Sequence, residues 1–375
     1  MLIIWIVIFV IGIYYGQRYL YEKLWDRKLN VKVWYEDAII EAGQSSRVIA
    51  IIENAKMLPL PIFNLKLSAP KSFVFDDMEH AAVTDLFYRS EAFSIMGKQR
   101  VTRKLGFQGT RRGYFEIASV NTVVKDLFFV KTYAKNYDTD TTIYVLPRKL
   151  QNTWIIEFEK AMLGEIETKR SFIEDPFSFR GIRDYSATDS MGRVNWKASA
   201  KTSELKVNMY NKVAEQRVSI LINLDAYTLF REDELREYSI SLASTLTKDF
   251  VAMGVPVMVF ANGLDVVTGE KGMIQAGSTR DHSVVVDKYL ARIGTMLKND
   301  TFMETLDQMQ DTIASNITYI VISPYYKNDL LEKLDELKNR GVDLHMIVPY
   351  DHRDTMECDR TYVEGWEVNA DEMDT

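Results

Sequence analysis

The densest run of groups able to do chemistry lies between Phe179 and Lys201. Cations (Arg180, Arg183, Arg193, Lys197, Lys201) alternate there with aromatics (Phe179, Tyr185, Trp196) and two carboxylates (Asp184, Asp189). Guanidinium forks beside a stackable indole can grip a phosphate, an acidic peptide or a partner protein. The same residues fit a second reading, in which Arg183 and Arg193 pair with Asp184 and Asp189 and Trp196 fills a seam between folded units. A long connecting segment must satisfy its own backbone and charged groups if it packs. A second set is Asp225, Asn262 and Ser323, each just past an apolar run that reads as a strand. In parallel sheets, ligands bind beyond those strand ends. A hard cation needs several oxygen ligands and Mg²⁺ commonly takes one or two carboxylates, so Asp225 by itself makes a weak metal site. The competing reading has Asp225 capping a helix or pairing with a nearby base. Arg111 and Arg112, in a glycine-flanked loop, are read as solvated hairpin arginines.

Other chemistries find little to work with. No Gly-x-Ser-x-Gly elbow and no phosphate-cradling glycine loop occurs. The four histidines (His80, His282, His345, His352) are scattered, and His345, on an apolar strand, reads as a hydrogen-bonded core residue rather than a base. Catalytic residues are therefore expected to be none, although a spatially assembled hydrolase site stays open as a third reading. One cysteine, Cys358, excludes a disulfide framework or a cysteine-rich metal site. A net charge of −7, from 53 acidic and 46 basic residues, argues against nucleic acid as a partner.

Positioning falls to three kinds of element. Leu2 to Tyr15 is apolar apart from Gly12 and the terminal tyrosines, and a basic flank follows (Arg18, Lys23, Arg27, Lys28, Lys32). A helix over residues 1–20 is about 30 Å long, enough to cross a hydrocarbon core. The charge follows the apolar run instead of preceding it, the reverse of a cleavable signal, and the positive-inside rule puts the bulk of the chain in the cytoplasm. Residues 29–147 read as short alternating strands bounded by turn residues, a β-sandwich. Residues 217–350 alternate buried strands (Val218–Leu224, Pro256–Ala261, Thr318–Ile322, Asp343–Val348) with helices (Glu232–Met253, Asp281–Leu297, Lys327–Asn339), a parallel α/β unit. Residues 351–375 form an acidic tail, read as a solvated terminus.

The intervening segment, 148–216, carries a resemblance. The run Phe179-Arg180-Gly181-Ile182-Arg183-Asp184-Tyr185, Asp189, Arg193, Asn195-Trp196-Lys197-Ala198-Ser199-Ala200 and then Leu205-Lys206-Val207 resembles the signature of the bacterial domain of unknown function 58 (DUF 58) family. The order of elements agrees with that family. Two departures stand out: Thr188 replaces a usual glycine, and Lys125-Asp126-Leu127-Phe128-Phe129 stands where members often read Asp-Pro-Phe-Gly-Leu. Members also commonly carry two transmembrane helices, where this chain has one. The α/β unit resembles a von Willebrand factor A-type domain whose cation loop, Asp-x-Ser-x-Ser, has become Asp225-Ala226-Tyr227-Thr228-Leu229. The resemblance implies a multidomain α+β chain: N-terminal transmembrane helix, β-sandwich, and doubly wound von Willebrand factor A-like domain. It further implies a single-pass, membrane-anchored, non-enzymatic scaffold or adaptor without cofactors. Its expected partners are a MoxR-type AAA+ ATPase and membrane proteins, and its binding residues are Arg183, Tyr185, Asp189, Arg193, Trp196 and Lys197. The alternative is a cation-dependent ligand-binding A-type domain using Mg²⁺ at Asp225.

Overall fold

The computed structural model describes residues 2–75, 81–83, 86–172, 174–187, 189–212, 216–225, 232–295, 301–309, 316–351 and 353–368. Contacts divide the chain into two units, Met1–Arg148 and Lys149–Thr375.

The first unit opens with helix α1 (Leu2–Leu24). Ten strands follow: β1 (Leu29–Tyr35), β2 (Ile39–Glu41), β3 (Ser45–Asn54), β4 (Leu60–Pro70), β5 (Phe73–Phe75), β6 (Ala81–Val83), β7 (Leu86–Ile95), β8 (Gln99–Gly109), β9 (Gly113–Lys125) and β10 (Thr132–Leu146). They form two sheets, ordered β1-β3-β8-β5 and β2-β10-β9-β4-β7-β6. Strict alternation along β1 and β3 turns Val31, Val33, Ala50 and Ile52 inward, where they share one core with Phe63, Leu65, Val120, Val124 and Ile143 of the other sheet. Period-two patterning buries one face of each strand, as the sequence predicts.

Helix α1 differs from the simple span expected over residues 1–20. Ile3 to Ile13 are exposed apolar residues, but Gln17, Tyr21 and Trp25 are buried. Their spacing of four puts them on one stripe. Gln17 Nε2 donates to Asp126 Oδ2 at 3.2 Å, the Tyr21 hydroxyl donates to the Pro59 carbonyl at 2.6 Å, and Trp25 stacks on Tyr133 at 5.6 Å. Ion pairs Lys131–Glu22 (3.2 Å) and Lys135–Asp26 (3.0 Å) flank the stripe. The last turns of α1 are therefore part of the sandwich.

The second unit is a mixed α+β body. Its elements are α2 (Thr153–Phe172), β11 (Glu174–Asp184), α3 (Trp196–Thr202), β12 (Lys206–Lys212), β13 (Arg217–Ile222), α4 (Glu232–Ala252), β14 (Val257–Ala261), β15 (Met273–Gly277), α5 (Arg280–Arg292), α6 (Thr301–Met309), β16 (Ile317–Ile322), α7 (Asn328–Asn339), β17 (Asp343–Asp351) and β18 (Val363–Val368). A six-stranded sheet runs β15-β14-β13-β16-β17-β18, parallel except for edge strand β15. One face packs against α2, α4 and α5, the other against α6 and α7. Burial on both faces explains the near-continuous apolar runs of β13 and β16.

Two expectations change. The segment 148–216 is more than a connector: α2 contributes Ile155, Phe158, Met162 and Ile166 to the core under the sheet. The acidic stretch after Tyr350 is folded as far as Val368. β18 pairs with β17, and Trp366, 1% exposed, stacks on Trp154 at 6.2 Å. Alternation of buried Trp366 and Val368 with Glu367 lets a charged segment still serve as an edge strand. The final acidic residues, from 369, and His352 lie outside the described residues.

Candidate functional site

The signature residues build a compact module of β11, β12 and α3. The two strands pair antiparallel, with Arg183 opposite Val207 and Asp184 opposite Lys206. The link to α3 is held by Asn195, whose Oδ1 accepts the Ala198 N–H at 2.9 Å as helix cap. Its backbone N–H donates to the Lys206 carbonyl at 2.8 Å, and its Nδ2 donates to Asn208 Oδ1 at 2.7 Å. Ser199 Oγ accepts the Lys206 N–H at 2.9 Å, closing the helix onto the strand. Asn at the cap position supplies a partner for an otherwise orphaned amide.

Arg183 makes a two-pronged ion pair with Asp189, both N···O distances being 2.6 Å. Asp189 also accepts the Ser186 N–H at 2.9 Å. The Arg183 fork, and then that amide, hold the Asp189 carboxyl below the usual carboxylate range. Lys206 takes the remaining acids, Asp184 and Glu204, which raise its pKa. The pairing thus differs in part from the sequence expectation. Arg183 finds Asp189, but Asp184 is held by Lys206 and not by Arg193, because strand register sets Lys206 directly across from it. Tyr185 is half-buried, with its N–H donated to the Leu205 carbonyl at 2.9 Å, and Arg193 is likewise half-buried in the turn before α3. Thr188 lies outside the described residues.

Trp196 does not pack as expected. It occupies the first helical position of α3 and is 63% exposed. Phe179, Ile182, Met191 and Leu205 of the same module are exposed too, as are Lys197 and Lys201. Val194 and Val207 are buried, while polar contacts hold the rest of the module together and these larger apolar side chains face outward.

At the carboxyl ends of β13, β14 and β16 the second candidate set is also brought together. Asp225, Asn223, Asn262 and Ser323 are all essentially buried. Asp225 Oδ1 accepts from Asn262 Nδ2 at 2.7 Å, and Oδ2 accepts the Phe302 N–H at 2.9 Å, at the start of α6. Asn262 Oδ1 accepts the Leu224 N–H at 2.7 Å, while Asn223 Nδ2 donates to Ser323 Oγ at 3.0 Å. Ser323 in turn donates to the Tyr325 carbonyl at 2.7 Å. Among the described residues this set brings a single carboxylate to a hard cation. Both oxygens of its one carboxylate already accept N–H groups, and its other members present an amide nitrogen and a committed hydroxyl. The helix-capping reading of Asp225 describes the observed geometry, with the cap made to α6. Residues 226–229 of the expected loop lie outside the described residues.

A third cluster was not anticipated from sequence. His345 Nε2 on β17 lies 3.2 Å from Glu165 Oε2 of α2 and 3.9 Å from Asp343 Oδ1. Asp343 Oδ2 accepts from Thr318 Oγ1 at 2.5 Å. His345 is thus not the hydrogen-bonded core residue expected, for Nε2 makes no aligned hydrogen bond and faces two acids. Their ligand atoms lie close enough together for one ion, and among the described residues no fourth ionisable ligand joins them. The approach of the Glu165 carboxylate to the His345 ring brings α2 against the sheet. Only the fold could have revealed it, since Glu165 and His345 are far apart in sequence.

No protein-family model and no curated protein matches the chain. Among solved structures, it overlaps a non-cellulosomal cohesin from Archaeoglobus fulgidus (16% identity, 31% of this chain and 91% of that one, TM-score 0.20). It also overlaps the CARDB domain of PF1109 from Pyrococcus furiosus (10%, 30% and 93%, TM-score 0.19). A third overlap is with a GH20 exo-β-N-acetylglucosaminidase from Vibrio harveyi (8%, 92% and 79%, TM-score 0.23). Overlaps of this order carry neither a fold assignment nor an activity to this chain.

Proposed function

We propose that the chain is a membrane-anchored, non-enzymatic scaffold or adaptor that docks a partner protein on the β11–β12–α3 module. One observation carries this reading: Phe179, Ile182, Met191, Trp196 and Leu205 stand exposed on a module in which Asp184, Asp189 and Glu204 are already ion-paired internally. Large exposed apolar groups beside exposed lysines such as Lys197 and Lys201 mark an interaction surface rather than a catalytic centre. α1 provides the anchor, being apolar enough to cross a bilayer, with a mean hydropathy of 1.6 over its most apolar stretch. The basic flank orients the body toward the cytoplasm.

The sequence resemblance to the DUF 58 family nominates a MoxR-type AAA+ ATPase as the partner. On this reading the α/β body is a von Willebrand factor A-like adaptor in which the Asp225–Asn262 network stands where a cation site would be. Affinity capture from native membranes tests the proposal. Wild type should retain an AAA+ ATPase, and Trp196→Ala should lose it with an unchanged thermal midpoint, as should Arg193→Ala if its guanidinium reaches the partner. An identical set of captured proteins from wild type and Trp196→Ala would refute docking through this module.

A further inference from the structure

The hairpin joining β9 to β10 carries four consecutive exposed apolar residues: Leu127, Phe128, Phe129 and Val130. Such a run is costly in water and calls for an occupant. The turn is nonetheless well built. Asp126, 1% exposed, accepts the Val130 N–H at 2.8 Å and receives Gln17 Nε2 from α1 at 3.2 Å. Phe129 sits at φ +59°, a left-handed conformation that a bulky aromatic residue rarely adopts and that glycine or asparagine fits without strain. An exposed phenylalanine in a strained position contributes nothing to the fold, so its side chain answers to something outside it.

Helix α1 says what lies outside. Phe128 meets Tyr14 of α1 at 6.1 Å between ring centroids, one turn before Gln17 docks on Asp126. Residues 2–16, which precede the docked stripe, cover only about 22 Å at 1.5 Å per residue. A hydrocarbon core is about 30 Å thick. To span it, the helix must draw the docked turns, and with them this end of the sandwich, down to the bilayer surface. Other turns at the same end expose apolar side chains too, Met57 before β4 and Met96 after β7.

We infer that the β9–β10 tip is a second membrane element, with Leu127–Val130 immersed in the lipid beside α1. The occupant is the bilayer itself, and the inference rests on α1 being a membrane span. Phe128 and Phe129 sit at the depth where aromatic rings are favoured, and Lys125 and Lys131 flank the tip at the level of headgroups. The sandwich is thereby fixed in tilt on the membrane instead of swinging from a single helix.

The test uses the full chain, with Cys358→Ser, in phosphatidylcholine–phosphatidylglycerol vesicles. An environment-sensitive fluorophore is placed at Phe129→Cys or, at the opposite end of the sandwich, at Thr110→Cys. The expected result is a chain that resists carbonate extraction, with a blue-shifted label at position 129 quenched by spin-labelled lipid and an unquenched label at position 110. A chain that resists carbonate but leaves position 129 unquenched overturns the tip inference and spares the anchor. Release by carbonate overturns both. Phe129→Gly gives a readout independent of labelling at that position: it should raise the thermal midpoint in detergent by relieving the backbone, and weaken lipid quenching of a label at Phe128→Cys. A fall in that midpoint would assign Phe129 a packing role and overturn the inference.

Discussion

The side-chain amide of Asn262 joins two strand ends at once, donating to Asp225 Oδ1 at 2.7 Å and accepting the Leu224 N–H at 2.7 Å. Removing it takes one hydrogen-bond partner from a buried carboxylate oxygen and one from a buried amide. Asn262→Ala should therefore cost about 2–4 kcal/mol in urea unfolding. Asn262→Asp sets a second carboxylate against Asp225, so it should unfold more readily in EDTA and recover stability in millimolar Mg²⁺. Wild type, with the Asn262 amide against Asp225, should melt at the same temperature in both. A wild-type midpoint that rises with Mg²⁺ would show that Asp225 binds cations despite its amide partners.

Glu159 of α2 gives the second unit a pH signature. Burial, then the neighbouring Asp249 carboxylate, push its pKa up to about 8, with Lys149 opposing. A raised folded-state value means that the unfolded chain releases this proton first. The contribution is complete below about pH 4.5 and is lost as pH rises through about 8. Glu159→Gln should remove that decline and leave the protein more stable than wild type at pH 8.5, as measured by chemical denaturation across the range. An unchanged slope would mean that the two carboxylates do not share a proton.

Trp366 tests whether the C-terminal stretch is structural. It is 1% exposed against Trp154, and Trp366→Ala should cost about 3–5 kcal/mol. Truncation after Tyr350 removes β18 and should leave α2 sensitive to protease. A truncated chain as resistant as wild type would return residues 351–368 to the status of a tail.

At the other end of the chain, Asp126 organises the hairpin tip. Asp126→Ala leaves the Val130 N–H and Gln17 Nε2 without their acceptor and should cost about 1–3 kcal/mol. Hydrogen exchange at Val130 should accelerate while exchange in the paired stretch of β9 and β10 beyond the tip stays slow. Uniform acceleration through both strands would mean that the carboxylate supports the whole sheet.

Much of this arrangement was legible because its signals are local. Alternation located β1 and β3, and continuous apolar runs located β13 and β16. α2 was readable in principle, since Ile155, Phe158, Met162 and Ile166 recur at helical spacing, but its charged residues and its place beside the signature gave it the look of a linker. β18 was hidden by its acids. What was not legible is what depends on register and tertiary approach: Lys206 opposite Asp184, Glu165 beside His345, and Gln17 reaching Asp126. No spacing rule within one segment encodes these pairs. The exposure of Trp196 was equally hidden, because a buried and a docking tryptophan look the same in sequence.

The central place of β13 has a consequence for biogenesis. Val218 pairs in parallel with Val257 on one side and with Thr318 on the other, so no tight turn can seed this sheet. Its edge strand β18 is synthesised after every other strand of the sheet. By then every strand of the sandwich has been made, and that unit can already be complete. The second unit therefore closes its sheet late, and its apolar strands keep one edge open until β18 pairs with β17.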